Sequence, residues 1–188
     1  MAPAVPRLAK QADAVILPRH APLPARGVWV TMARTKRSVV ARKRGKISEL
    51  LSVGGQPTED DLISLKAEGF EAIVNLRREG EPNQPLDPGR EGIAATAAGL
   101  RYFHIPVNSA DPRREQVEAV RAALGQVAGP VFVHCQGGGR ACTMALLATA
   151  TASGHGAQQM MAQAEAAGFP VSNPVVAEFI GVILDRKT

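Results

Sequence analysis

The chain has 188 residues, 45% of them hydrophobic, enough for one globular domain with a sizeable core and room for an appendage. Two cysteines, Cys135 and Cys142, make neither a disulfide framework nor a zinc pattern, so a reducing, cytoplasmic setting is expected, and no apolar run approaches the roughly 18 residues of a membrane span. The net charge of +5 is uneven: residues 1–46 hold eleven Lys and Arg against Asp13 alone, while residues 47–188 hold eleven against sixteen acids, which argues against a nucleic-acid-binding face on the domain.

Residues 1–46 are rich in Ala, Pro and Arg and show no sustained period of 2 or 3.6. They read as a disordered extension. AVIL at 14–17 and GVWVTMA at 27–33 are too short for a signal-peptide core. Contact with nucleic acid or an anionic membrane, organelle targeting, and a true start at Met32 stay open for this stretch.

The domain is expected over 47–188. ISELLSVGGQPT (47–58) reads as a short strand entering a Gly-Gly-Gln-Pro turn. Thr58 is a plausible N-cap, followed by Glu59, Asp60 and Asp61 where the helix dipole favours acids, and Gly69 stops that helix. FEAIVNLR (70–77) is a β-branched strand, 77–89 a loop with three prolines, 90–99 a short helix, and LRYFHIPV (100–107) a strand. An amphipathic helix over 113–128 places Val117, Val120, Leu124 and Val127 on one face. GPVFVHC is the last strand; helices follow from about 140 to 153, over 156–167 and over 174–185. Alternating strands and helices predict an α/β fold with a parallel central sheet of about four to five strands, helices on both faces and a site beyond the strands' carboxyl ends.

VFVHCQGGGRA (131–141) sits at that address. A thiol reacts as the thiolate, and its ordinary pKa of about 8.5 falls beside a cation or at a helix N-terminus. Gln136, Gly137, Gly138 and Gly139 can turn backbone N–H groups toward one centre, and Arg140 adds a forked cation suited to an oxyanion. Together these predict nucleophilic catalysis by Cys135 on phosphoryl or sulfuryl groups. Two alternatives remain: Cys135 as a small core hydrophobe, or a phosphate cradle that never uses the thiol. No Gly-Lys-Ser/Thr follows the strand, and GGGR lacks the spaced third glycine of a dinucleotide loop.

VFVHCQGGGRA resembles the active-site loop of the cysteine-dependent phosphatases. LSVGGQPTEDDL, FEAIVNLR, GLRYFHIPV and the loop, in that order, resemble a bacterial protein-tyrosine-phosphatase-like family related to the beta-lactamase-hydrolase-like domain. Its members include sulfur transferases, and NPVVAEFI matches its closing Asn-Pro helix. The resemblance implies a dual-specificity-phosphatase-like fold and a phosphomonoester, with phosphotyrosine one candidate, as the anionic substrate, hydrolysed without cofactor or metal. It implies Cys135 as nucleophile, Arg140 as the phosphate-binding arginine, and a cradle over residues 136–140 reaching Ala141. His134 would tune the cysteine from behind, or be a core histidine satisfied by backbone.

Several positions depart from the pattern. Four residues separate Cys135 from Arg140, where tyrosine phosphatases have five and small-loop rhodaneses four. Sulfur transfer through a Cys135 persulfide is therefore the alternative activity, and a weakly active oxyanion-binding module the non-enzymatic one. Ala141 stands where phosphatases often carry a hydroxyl, leaving Thr143 to substitute. Asp111 is the candidate general acid, or equally a helix N-cap beside Pro112. Arg77, at a strand end, is a candidate for binding substrate charge, or is solvated. Cys142 is either core packing or a disulfide partner for oxidised Cys135.

Overall fold

A computed structural model describes residues 43–185. The expected extension therefore lies, for residues 1–42, outside the described residues. Five strands form one sheet in the order β1-β2-β5-β3-β4: β1 (Arg44–Ser48), β2 (Leu51–Gly55), β3 (Ala72–Asn75), β4 (Arg101–His104) and β5 (Val131–Cys135). β1 runs antiparallel to β2, and the other neighbours are parallel. The fold is thus the expected mostly parallel α/β sheet flanked by helices.

Helices α1 (Glu59–Ala67), α2 (Pro88–Ala97), α3 (Arg114–Gly125), α4 (Gly139–Ser153), α5 (Ala157–Ala166) and α6 (Pro174–Asp185) cover both faces. Val131 and Val133 of β5 point into the larger core with α3, α4, α5 and α6, while Phe132 points the other way, to Leu62 and Leu65 of α1 and Ala95 of α2. Alternate residues of β5 thus supply opposite cores, which is why this strand is apolar throughout. Each such side chain, fully buried, contributes about 1.5–3 kcal/mol.

The sheet begins earlier than the expected boundary at residue 47. Arg44, Gly45 and Lys46 pair with Gly54, Val53 and Ser52, so the segment read as one strand is a hairpin. Its turn, at Glu49 and Leu50, carries no Asn-Gly or Asp-Gly signal. Thr58 caps α1 as expected: its hydroxyl accepts from Asp61 N at 3.2 Å, and Asp61 Oδ2 accepts from Thr58 N at 2.8 Å. α2 starts two residues before the expected helix, because Asp87 caps it, accepting from Arg90 N at 2.9 Å, and Pro88 opens it.

β5 sits between β2 and β3, with helices arriving on both faces, so a crevice opens beyond its carboxyl end. Cys135 is the last residue of β5, level with Gly55 of β2. The glycine loop then turns directly into α4.

Candidate active site

Cys135 is 3% exposed, and its sulfur accepts a hydrogen bond from Gly138 N at 3.2 Å. Gly138 has φ +98°, and a β-carbon there would lie 2.2 Å from Cε1 of the buried Phe169. Conformation and contact thus both require glycine. Gly138→Ala is expected to cost about 2–4 kcal/mol of stability, read by chemical denaturation, with Phe169→Ala restoring the steric share. Gly137 forms an isolated bridge with Gly55, tying the loop to β2, and Gly139 opens α4 with its amide end toward the loop. Gln136 is exposed at the rim.

Arg140 is held at one edge. Its Nη1 and Nη2 donate to Glu81 Oε1 and Oε2 at 2.7 and 2.8 Å, and Nη1 also donates to the Val107 carbonyl. A guanidinium has five N–H donors in a fixed fork. Three are thereby engaged; Nε–H and the second Nη2 hydrogen share the other edge, whose geometry suits an oxyanion. Burial opposes the charge on Arg140, but hydrogen bonding to Glu81, then the charges of Cys135 and Glu81 and a hydrogen bond to Cys135, hold its pKa above the ordinary value.

Burial raises the Glu81 pKa, but hydrogen bonds from Arg140, the Arg78 N–H and Arg77, with the Arg140 charge, outweigh it and bring the carboxyl down from 4.5 to about 2. Because the folded value lies below the unfolded one, this clamp contributes in full above about pH 4.5 and is lost as pH falls toward 2. Acid titration of stability is therefore expected to show a gap between wild type and Glu81→Gln that is constant near neutrality and closes across that interval.

Arg77, expected to meet the substrate or solvent, does neither. It is fully buried, donating from Nη1 to Gln56 Oε1 at 2.5 Å and Asn83 O at 3.1 Å, from Nη2 to Pro82 O at 2.5 Å, and from Nε to Glu81 Oε2 at 3.1 Å. The 81–83 loop is built around it. Arg78 instead lines the mouth of the crevice, with Glu81, Asn108, Ser109, Gln136, Arg140 and Asn173. Arg77 reaches the site through Glu81.

Asp111 is exposed and ion-paired to Arg113, with 2.9 Å from Nη2 and 3.2 Å from Nε, and it is absent from the mouth lining. A turn turns it away: Asp111 N donates to Asn108 O at 3.1 Å, and Asn108 Oδ1 accepts from Ala110 N at 3.1 Å. Nor does it cap α3, whose N-cap is Arg113, with Gln116 Oε1 accepting from Arg113 N at 2.9 Å. Ala141 is fully buried in the core, so its side chain offers nothing to a ligand. Cys142 is buried, and burial followed by the charge of Cys135 pushes its thiol up to about 11, which disfavours the thiolate that a disulfide partner would need.

His134 is fully buried and matches neither expectation. Its Nε2 donates to Glu91 Oε1 at 2.5 Å, while Nδ1 has no partner. Glu91, itself fully buried, accepts on Oε2 from Gln56 Nε2 at 2.6 Å and Asn75 Nδ2 at 3.1 Å. A continuous chain results: His134, Glu91, Gln56, Arg77, Glu81, Arg140. It joins the residue before the nucleophile to the arginine that closes the loop. Gln56, Glu81 and Glu91 were not singled out by the sequence.

The phosphatase-like domain model of the beta-lactamase hydrolase-like protein matches residues 44–152, the hairpin through α4. The chain belongs to that phosphatase-like family. The beta-lactamase hydrolase-like protein of Agrobacterium fabrum is 41% identical over 110 residues, which is 57% of this chain but only 25% of that protein. The DUF442 phosphatase candidate of Shewanella putrefaciens CN-32 superposes with a TM-score of 0.63 at 27% identity, covering 76% of this chain and 91% of its own. Tk-PTP in its active form, at 20% identity and TM-score 0.64, covers 77% and 97% and shares the fold. The family member described here has the protein-tyrosine-phosphatase fold, and none of its helices, among the described residues, is long and apolar enough to cross a membrane.

Proposed function

We propose that the protein is a thiol-dependent phosphomonoester hydrolase. The observation that carries this is the pairing of the Cys135 sulfur, under the Gly138 amide, with an Arg140 guanidinium clamped along one edge by Glu81. Family membership and the phosphatase-type fold support it. The Cys135 thiolate attacks phosphorus, the P–O bond to the leaving group breaks, and that oxygen departs with the bonding pair. Cradle amides and the Arg140 edge carry the equatorial oxygens. Water then attacks phosphorus, the S–P bond breaks, and phosphate and thiolate are released.

Among the residues lining the mouth, Glu81 is the acid, and its lowered pKa leaves it ionised. The leaving oxygen therefore departs without a protein proton, which favours phenols, with pKa values about 10, over alcohols. Asp111→Asn is expected to change kcat/KM for an aryl phosphate less than about threefold and to leave its acid limb in place.

A second reading is sulfur transfer, favoured by the four-residue loop and by a mouth lining whose one acid, Glu81, is held ionised. Here Cys135 attacks the outer sulfur of thiosulfate, the S–S bond breaks, sulfite leaves with the electron pair, and cyanide removes the sulfane sulfur as thiocyanate. A paired assay separates the two. Phosphate release from an aryl phosphate that depends on Cys135 supports hydrolysis; thiocyanate formation without phosphate release replaces it.

A further inference from the structure

An open depression of about 580 Å³ borders the glycine loop without including Arg140. It contains the Gly55–Gly137 bridge and is lined by Lys43, Asn83, Gln84 and Gln136. Gln136 also lines the mouth, so the two spaces meet at that residue. The lining holds no carboxylate, and its one charged side chain is Lys43. Among the described residues Lys43 makes no ion pair. Its ammonium lies 4.8 Å from the centre of the Phe169 ring, the ring beneath Gly138, so an unneutralised charge stands beside the loop. The side chains of Asn83 and Gln136 likewise have no hydrogen bond among the described residues, and each amide has two N–H donors. Gln84 is partly committed, donating to Arg78 O at 3.0 Å. Asn83 is the non-glycine residue with positive φ, at +55°, and its carbonyl accepts from Arg77 Nη1 at 3.1 Å. The buried Arg77 thus holds a backbone conformation of the kind that costs free energy and gathers at ligand sites.

We propose that this depression is the subsite for a second phosphate of the substrate, held by Lys43, Asn83 and Gln136 while the first lies on Cys135 and Arg140. The proposal rests on the phosphatase reading and narrows its substrate class to phosphomonoesters that carry a further phosphate. Two independent features converge on it. One is an unpaired cation in a lining without acids. The other is a pair of uncommitted amides, one of them on a backbone that Arg77 holds in the left-handed region. An ammonium and two amide N–H₂ groups suit the several acceptor oxygens of a phosphate. Gly137 is two residues beyond Cys135, and two residues span at most about 7 Å, so a short spacer joins the two groups.

The test is calorimetric titration of the full chain, at low ionic strength, with butylphosphonate and with propane-1,3-, butane-1,4- and hexane-1,6-diphosphonate, none of which can be hydrolysed. The best diphosphonate is expected to bind about tenfold more tightly than butylphosphonate, beyond the roughly twofold advantage of two equivalent ends. Lys43→Gln and Asn83→Gly are each expected to lower that ratio severalfold and to leave butylphosphonate affinity within about twofold. Both substitutions keep the backbone contacts of the fold, since Lys43 O accepts from Gly55 N at 3.2 Å and glycine adopts the φ of Asn83 without strain. A ratio of about two or less with every spacer, or one that neither substitution moves, overturns the subsite. A ratio that falls with Arg78→Gln and not with Lys43→Gln also overturns it, by putting the second phosphate in the mouth. Failure of butylphosphonate and the diphosphonates alike to bind would instead overturn the oxyanion cradle, and the subsite with it.

Discussion

Cys135→Ser is expected to lower kcat for an aryl phosphate on the order of 10⁴-fold or more, with phosphate affinity unchanged within a few fold. A serine hydroxyl needs a base to become a nucleophile, and neither His134 nor Glu81 can serve as one. The imidazole of His134, next in the chain, is fully buried with Nε2 committed to Glu91. Glu81 has both oxygens engaged by arginines and is far too weak a base. The Gly138 amide and Arg140 would still accept an oxyanion in the variant. Kinetics and phosphate titration on the same preparation check the split: lost turnover with retained binding is expected.

The second large effect is on stability. Glu91→Leu is expected to destabilise the fold by about 3–5 kcal/mol, and Glu91→Gln by less. The carboxylate satisfies three buried donors, on His134, Gln56 and Asn75. Leucine leaves all three buried donors unpaired, whereas glutamine can still accept on its oxygen but points an N–H₂ at another donor. His134 Nδ1 already lacks a partner, so the network has nothing spare. Because Gln56 also accepts from Arg77, the loss is expected to propagate to Glu81 and Arg140, raising KM as well. Urea denaturation, read with an unchanged m-value, measures the first effect, and steady-state kinetics the second.

The nucleophile loop was legible because its physics is local. An apolar strand, three glycines, an arginine and a helix start are consecutive, and their order alone places a thiol at the amide end of α4. The Thr58 cap was equally local. The β1–β2 hairpin was missed because Leu50 and Leu51 continue an apolar run through the turn, and α2 began early because Asp87-Pro88 reads both as a loop breaker and as a helix start. Glu81 and Glu91 lie 59 and 43 residues from Arg140 and His134, and only the order of strands brings them together. Arg77 follows the same rule: a charged residue at a strand end looks solvent-facing until Gln56, at the exit of β2 on the far side of β5, is seen to hold its guanidinium. Asp111 shows the reverse case, a residue in the right segment turned outward by the Asn108 turn.

The most direct test of a covalent thiol mechanism is to mix the protein with an aryl phosphate, quench in acid at short times, and weigh the peptide carrying Cys135. This peptide is expected to gain one phosphoryl group on sulfur, and to lose it again as phosphate is released. A peptide that stays unmodified while phosphate appears, or that accepts a sulfur atom from thiosulfate and never a phosphoryl group, would contradict it.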